Sequence, residues 1–97
     1  MKTEICKITK IQKKSPFIIT LGFRSNYLSK NLLPGQFLNI KIDDEKKFIL
    51  RRPFSVSDVS MDEVTILFNI VGKGTFTLSE KKVGDKIDVL GPLGNGF

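Results

Sequence analysis

Hydrophobic and polar residues alternate along three segments of this chain, as they do in half-buried β-strands. The apolar positions of the three segments are Phe17, Ile19, Leu21 and Phe23, then Leu38, Ile40 and Ile42, and then Val64, Ile66, Phe68 and Ile70. A period of two residues places the apolar side chains on one face of a sheet and the polar side chains on the other. The pattern therefore predicts three strands, each with one buried face.

Three further strands are predicted from weaker patterns. The segment from Thr3 to Ile11 has isoleucine at every third position, but its β-branched content favours a strand over a helix. Short strands are also predicted from Arg52 to Ser57 and from Lys86 to Leu90. Turn residues separate the segments at Leu33-Pro34-Gly35, at Asp43-Asp44-Glu45 and at Met61-Asp62. Six short strands spaced in this way predict an all-β fold, a six-stranded antiparallel barrel, with phenylalanines 17, 23, 37 and 48 in its core.

One segment breaks the β pattern. In GKGTFTLSEKKVGD, Thr75 is a candidate N-cap of a short helix, Lys81 and Lys82 would lie in its last turn, and Gly84 would end it. A glycine-rich turn that leads into a helix amino terminus exposes backbone N–H groups that favour an anion. The same glycines would also serve simply to turn the chain, so this motif alone does not identify a site.

Composition limits the possible functions without choosing among them. The 97 residues suffice for one domain, and a net charge of +6 suits nucleic acid, a phosphate-bearing cofactor, an acidic partner protein or a plain solvated surface. Cys6 is the single cysteine and there is no histidine, so these residues cannot form an internal disulfide, a zinc site or an iron–sulfur site. We expect Cys6 to be a buried strand residue. The amino terminus lacks the apolar core of a signal peptide, which predicts a cytoplasmic protein that does not act at a membrane.

The stretch FILRRPFSVSDVS places two arginines and a proline inside a predicted strand. Pro53 has no N–H to donate to a neighbouring strand, so either an edge position or a binding site would explain it. Arg52 has the forked geometry that suits phosphate, Phe54 offers an aromatic plane and Ser55 a hydroxyl. Together with a helix amino terminus, these groups are what a flavin nucleotide requires. We expect Arg52 to turn inward to the ligand and Arg51 to face solvent.

These motifs together resemble a known family. RPFS at residues 52–55, GKGT at 72–75, PGQF at 34–37 and the closing GDKIDVLGPLGNGF are similar to the FAD-binding domain of the ferredoxin–NADP reductase superfamily. Within that superfamily, the chain most resembles the electron transfer subunits of type B dihydroorotate dehydrogenases. The resemblance covers the whole chain and implies a six-stranded antiparallel Greek-key barrel with one short helix over residues 1–97.

The resemblance also implies roles for individual residues. Arg52 would contact the FAD phosphates, Phe54 would pack on the isoalloxazine or its ribityl chain, and Ser55 would reach the N5 and O4 edge. Pro53 would lie where the backbone turns toward the ligand. The remaining cofactor-binding residues that it implies are Leu67, Phe68 and Asn69 along the flavin, and Gly74 and Thr75 at the pyrophosphate. Asn69 stands where family members commonly carry a basic residue, for which Lys73 or Arg51 could compensate.

By the same resemblance, FAD would receive electrons from NADH and pass them through a [2Fe–2S] centre to the FMN-containing catalytic subunit of dihydroorotate dehydrogenase, in pyrimidine biosynthesis. Residues 91–97 would begin a hinge, with Phe97 near the flavin, that leads to an NAD-binding domain and a cysteine cluster outside this chain. We therefore expect NADH to reduce FAD bound to these 97 residues alone only slowly. Two alternatives remain open: a basic OB-like barrel that binds single-stranded nucleic acid, and a related sulfide or ferredoxin-linked reductase subunit.

Overall fold

The computed structural model describes residues 1–43 and 49–96. Its elements in chain order are β1 (Lys2–Lys13), β2 (Ile18–Arg24), α1 (Asn26–Asn31), β3 (Phe37–Asp43), β4 (Ile49–Ser60), β5 (Glu63–Asn69), α2 (Lys73–Ser79) and β6 (Lys86–Leu93). All strand pairs are antiparallel, and the strands close into a barrel in the order β1-β2-β5-β4-β3-β6. The predicted six-stranded antiparallel barrel is thus confirmed.

The barrel interior is filled by the apolar positions of the three alternating segments. Ile19, Leu21 and Phe23 of β2 lie opposite Phe68, Ile66 and Val64 of β5, and all six are buried. The expectation for the phenylalanines holds only in part. Phe17 lies just before β2 and is 67% exposed, so its prediction as a core residue is wrong, while Phe37 is half-buried. Phe48 and most of the predicted turn at Asp43-Asp44-Glu45 lie outside the described residues.

A β-bulge in β1 explains its unusual spacing of isoleucines. Ile8 lies opposite Phe23 and Ile11 opposite Leu21, with an extra residue of β1 between Ile8 and Lys10. This residue lets two isoleucines three positions apart both point into the barrel. Ile5, on the part of β1 before the bulge, faces outward and is 63% exposed.

Helix α1 was not predicted. Ser25 caps it, since its Oγ accepts a hydrogen bond from Leu28 N at 3.0 Å and donates one to Glu4 Oε1 at 2.6 Å. The helix has six residues, of which Leu28 alone is buried, so it shows no helical periodicity in the sequence. Its formation depends on Leu28 packing into the core and on the cap.

Helix α2 starts and ends earlier than expected. Its N-cap is Gly72 and not Thr75, and it ends at Ser79, so Lys81 and Lys82 lie beyond it. Gly84 belongs to the following turn, where its φ of +96° suits glycine. The seven residues of α2 are far fewer than a bilayer requires, and no other helix in the described ranges could cross a membrane. Residues 91–93 form the end of β6, and the hinge expected to begin there stays a prediction.

Candidate functional site

The barrel has a gap between β4 and β5. Strand β4 pairs with β3 from Ile49 to Ser55, but it pairs with β5 only from Val56 onward. Residues 67–69 of β5 and 52–55 of β4 therefore face each other without a hydrogen-bonded ladder. Backbone groups of these two stretches that point into the gap are available to another molecule.

A groove of about 310 Å³ lies in this gap, and we call it the β4–β5 groove. Its lining residues are Arg52, Pro53, Phe54, Ser55, Leu67, Phe68, Asn69, Val71 and Thr75. The structure thus brings together all the predicted cofactor-binding residues except Gly74. Val71 was missed, and its place directly before the predicted glycine turn is the one signal that could have indicated it.

Two phenylalanines form the floor of the β4–β5 groove. The rings of Phe54 and Phe68 meet edge to face, with centroids 5.5 Å apart and an angle of 76° between their planes. Each side chain is only 6% exposed, so the pair closes the barrel interior where the ladder is missing. The floor therefore offers a flat ligand an apolar surface.

Pro53 fits this gap for a simple reason. It lies opposite Asn39 of β3, in the part of β4 that has no partner strand on the β5 side. A missing backbone donor there removes no hydrogen bond from the β4–β5 ladder. Of the two explanations considered for this proline, the structure supports the edge position, because the barrel is locally open along the groove. The binding site stays a prediction.

The two adjacent arginines have different environments. Arg51 is half-buried and its Nη2 lies 2.9 Å from Oδ1 of Asp88 on β6, so the expectation that Arg51 simply faces solvent is wrong. Arg52 is exposed, lines the groove, and forms no side-chain hydrogen bond or ion pair with any residue in the described ranges. Arg51 is thus engaged by the fold, whereas no described residue holds the guanidinium of Arg52, which points to a role in contacting an anion.

Gly74 and Thr75 lie in the first turn of α2 and shape how the helix begins. A Cβ at Gly74 would lie 2.7 Å from Cγ2 of Ile42, so the absence of a side chain lets α2 pack against β3. The Thr75 hydroxyl accepts a hydrogen bond from Val71 N at 2.8 Å and donates to the carbonyl of Gly72 at 3.2 Å. Since the proton of that hydroxyl is already donated, Thr75 can donate its backbone N–H to a ligand but not its side-chain O–H.

A second groove, of about 510 Å³, continues from the first along β4. It is lined by Gly35, Gln36 and Phe37 together with residues 53–56, so Pro53, Phe54 and Ser55 border both grooves. Gln36 holds its wall in place, because its Oε1 accepts from Leu33 N at 2.9 Å and its Nε2 donates to the Gly94 carbonyl at 3.0 Å. This contact between distant segments could not be predicted from sequence spacing.

Cys6 takes no part in the groove. It is buried on the inner face of β1, as predicted, and burial together with the nearby Glu4 carboxylate raises the pKa of its thiol to about 12. A thiol in this state is a poor nucleophile.

Comparison with known proteins supports the resemblance to ferredoxin reductase-like proteins. No protein-family model matches the chain. The dihydroorotate dehydrogenase B (NAD(+)) electron transfer subunit of Fusobacterium nucleatum is 38% identical over 99 residues, which cover all of this chain and 38% of that protein. Among solved structures, an NADH-dependent reduced ferredoxin-NADP oxidoreductase matches with a TM-score of 0.86 and 36% identity, over 97% of this chain and 34% of that one. Flavohemoglobin from Malassezia yamatoensis, solved with bound FAD and heme, matches in fold with a TM-score of 0.81 and 18% identity, over 98% of this chain and 26% of that one.

The fold is therefore that of the ferredoxin reductase-like barrels. In sequence, the chain is similar to the electron transfer subunits of dihydroorotate dehydrogenase B, which confirms the resemblance inferred from its motifs. It spans little more than a third of the length of the relative from Fusobacterium nucleatum.

Proposed function

We propose that the β4–β5 groove binds FAD and that this chain is the FAD-binding barrel of an electron transfer subunit of dihydroorotate dehydrogenase. The observation that carries the proposal is the gap where the ladder between β4 and β5 is interrupted. Phe54 and Phe68 close this gap on the side of the barrel interior, and the polar residues Arg52, Ser55, Asn69 and Thr75 are among those that line it. FAD would supply the redox chemistry, since a flavin exchanges both hydrides and single electrons. The protein's part is to bind the cofactor and fix its orientation.

The residues present fit such a cofactor. Phe54 provides apolar contact for the ring system or ribityl chain, and Ser55, exposed at the junction of the two grooves, provides a hydroxyl for a polar ring edge. Arg52 supplies positive charge for the phosphates without giving up a contact within the described fold. Asn69 adds an uncharged amide beside it. Thr75 and Gly74 contribute backbone N–H groups of the first turn of α2, where the hydroxyl of Thr75 already holds the loop closed.

The open backbone of the groove supports the same proposal. Leu67, Phe68 and Asn69 present the main chain of β5 on one side, and Arg52 to Ser55 present that of β4 on the other. A flat heterocycle with donors and acceptors at its edge can satisfy backbone groups of this kind, as a further strand would. Water would otherwise occupy these positions, so the ligand exchanges hydrogen bonds and gains apolar contact with the floor.

The rest of the electron route lies outside these residues. We propose that NADH donates electrons to the FAD, and that a [2Fe–2S] centre passes them to the FMN-containing catalytic subunit that acts on dihydroorotate. The NADH site and the cluster would belong to portions of the subunit beyond this chain. A cytoplasmic location, with no role for nucleic acid or a membrane, completes the proposal.

A second candidate is a ferredoxin-linked reductase subunit with the same FAD site. The similarity to the NADH-dependent reduced ferredoxin-NADP oxidoreductase, at 36% identity, favours it. Both candidates share the groove and differ in the protein that accepts the electrons. The nucleic-acid alternative has less support, because the similar proteins are named as an electron transfer subunit and an oxidoreductase.

FAD titration of the purified chain tests the proposal. If FAD binds only the folded state, a concentration about 100 times its Kd raises the free energy of unfolding by about 2.7 kcal/mol, which a shift in melting temperature reports. Quenching of flavin fluorescence gives an independent readout. Absence of both effects, together with tight binding of a single-stranded oligonucleotide, would overturn the proposal in favour of the nucleic-acid alternative.

A further inference from the structure

The outer surface of β1 and β6 carries two lysines that lie directly opposite each other. In the register of the two strands, Lys7 pairs with Lys86 and Ile5 pairs with Asp88. Both lysines are exposed. Like charges at directly opposed positions of an antiparallel pair destabilise it. Lysines often protect the exposed edge of a sheet, but neither strand is an edge in this closed barrel.

The two carboxylates that flank Lys86 in the sequence, Asp85 and Asp88, are engaged elsewhere. Asp88 Oδ1 lies 2.9 Å from Nη2 of Arg51, on the far side of β3. Asp85 Oδ2 accepts a hydrogen bond from the backbone N of Lys82 at 2.8 Å. Within the described ranges, no ion pair involves Lys7 or Lys86. The fold thus maintains a positive pair that no acidic residue in the described part of the chain neutralises.

Apolar side chains are exposed beside the lysine pair. Ile5 is 63% exposed and Val83 is 62% exposed. Val83 belongs to the turn that joins α2 to β6, and this turn is held to β1 by two backbone hydrogen bonds, Gly84 N to the Ile8 carbonyl at 2.9 Å and Ile8 N to the Asp85 carbonyl at 2.8 Å. We name the surface formed by Ile5, Lys7, Val83 and Lys86 the β1–β6 face.

We propose that the β1–β6 face is a docking surface for a protein partner that presents carboxylates around an apolar side chain. Charge complementarity specifies the acidic rim, because a partner carboxylate would relieve the repulsion between Lys7 and Lys86. Exposed Ile5 and Val83 would contact an apolar side chain at the centre of the partner's surface. The four residues of the face include no aromatic ring on which a base could stack, which favours a protein partner over nucleic acid. In naming the partner as the dihydroorotate dehydrogenase catalytic subunit, the inference rests on the proposed function.

The lysine pair makes a sharp test possible, because docking and stability should respond in opposite directions. Lys7→Glu converts a repulsive cross-strand pair into an attractive one, so it should raise the melting temperature of the chain while weakening partner binding. The double variant Lys7→Glu/Lys86→Glu replaces one like-charge pair with another, and should keep the melting temperature close to that of the unmodified chain. The double variant Lys13→Glu/Lys14→Glu, at the end of β1, makes the same change in net charge away from the face.

Binding is measured by titration calorimetry of each FAD-loaded chain with the purified catalytic subunit. We expect the Lys7→Glu/Lys86→Glu variant to bind at least about tenfold more weakly, by like-charge repulsion against acidic partner groups, and the Lys13→Glu/Lys14→Glu variant to bind much as the unmodified chain does. The difference should shrink as salt is added. Equal binding by both double variants would overturn the docking proposal and leave the proposed function standing.

Two further outcomes also overturn the inference, and they separate it from the proposed function. If the unmodified chain takes up FAD but does not bind the catalytic subunit, the docking proposal and its partner are wrong while the cofactor assignment survives. If a single-stranded oligonucleotide binds the unmodified chain tightly and Lys7→Glu/Lys86→Glu abolishes that binding, the face serves nucleic acid.

Discussion

Strand β5 lies between β2 and β4, and the length over which it is hydrogen-bonded differs between the two. Along β2 it is paired over its whole length, from Glu63 to Asn69, whereas along β4 it is paired only from Glu63 to Ile66. Polar side chains on the fully paired side bind one another. Thr9 Oγ1 donates to Glu63 Oε2 at 2.7 Å, and Lys10 Nζ lies 3.6 Å from Glu63 Oε1.

Polar side chains along the β4–β5 groove behave in the opposite way. In the described part of the chain, no hydrogen bond or ion pair involves the side chains of Arg52, Ser55 or Asn69. Around Glu63, side chains bind one another where the barrel is closed, whereas the side chains of Arg52, Ser55 and Asn69 lie where the backbone ladder is missing. The contrast separates residues that hold the fold from those available to a ligand.

The floor of the groove should show the largest effect. Phe54→Ala removes a buried ring and its contact with Phe68, so we expect a loss of about 3–5 kcal/mol in the free energy of unfolding. Urea denaturation followed by circular dichroism measures it. Leu67→Ala, at a partly exposed position of the same groove, should cost less than about 1 kcal/mol. Similar losses for the two variants would show that the phenylalanine pair does not close the barrel.

The two neighbouring arginines test the division of roles next. Arg52→Ala should weaken FAD binding by about 1.5–3 kcal/mol, the value of a hydrogen bond to a charged group, with little change in the stability of the chain without FAD. Arg51→Ala should do the reverse, costing about 0.5–1 kcal/mol of stability through its ion pair with Asp88 and affecting FAD less. Fluorescence titration and thermal melts on both variants give the comparison. Equal effects on FAD binding would contradict it.

A smaller effect is expected in the first turn of α2, which borders the β4–β5 groove through Thr75. Gly74→Ser places a Cβ against Ile42, a stiff β-branched side chain, and should destabilise the chain by about 1–3 kcal/mol. At Gly72 a Cβ would meet no atom within 4 Å, and serine is a good N-cap, so Gly72→Ser should be neutral or slightly stabilising. Thermal melts of the pair distinguish packing from turn flexibility, since a general need for flexibility would make both variants less stable.

The closed side of β5 should give the smallest and most pH-dependent effect. The hydrogen bond from Thr9 holds the pKa of Glu63 below its usual range, with the charge of Lys10 contributing. A lowered folded-state pKa means that the stabilisation is complete above the unfolded value of about 4.3 and is lost as pH falls through the lower folded value. Glu63→Gln should therefore cost up to about 1 kcal/mol at neutral pH and less in acid.

Urea midpoints at several pH values check this dependence, with Glu80→Gln as the control. Glu80 is exposed, and none of the ion pairs between described residues includes it. A pH-independent cost of Glu63→Gln would show that the amide disrupts packing rather than removing a charge.

Most of the barrel could be predicted because strand alternation is a local signal. The three alternating segments became β2, β3 and β5, and each faces the core as expected. Features that depend on distant contacts were not predictable in this way. In the cap of α1, Ser25 donates to Glu4, which is far away in the sequence, and the packing of α2 on β3 places Ile42 against Gly74.

The residues of the candidate site likewise include some that local sequence signals predict and some whose environment depends on distant contacts. Arg52, Phe54 and Ser55 lie within four residues of one another, so a single motif could indicate all three. Residues 67–69 on β5 were predicted only through the resemblance to a known family. The engagement of Arg51 by Asp88 joins β4 to β6 across an intervening strand. No spacing in the sequence reports such a pair, so the environment of Arg51 was predicted wrongly.

The bulge in β1 makes one position of the strand exceptional in its tolerance of length change. Because the extra residue lies between Ile8 and Lys10, deletion of Thr9 would leave Lys10 opposite Gly22 and Ile11 opposite Leu21, as they are now. Deletion at Cys6 or Ile11 would instead shift one part of the strand by a residue and turn its apolar side chains to water. The strand can therefore lose this residue while its apolar side chains keep facing the barrel interior.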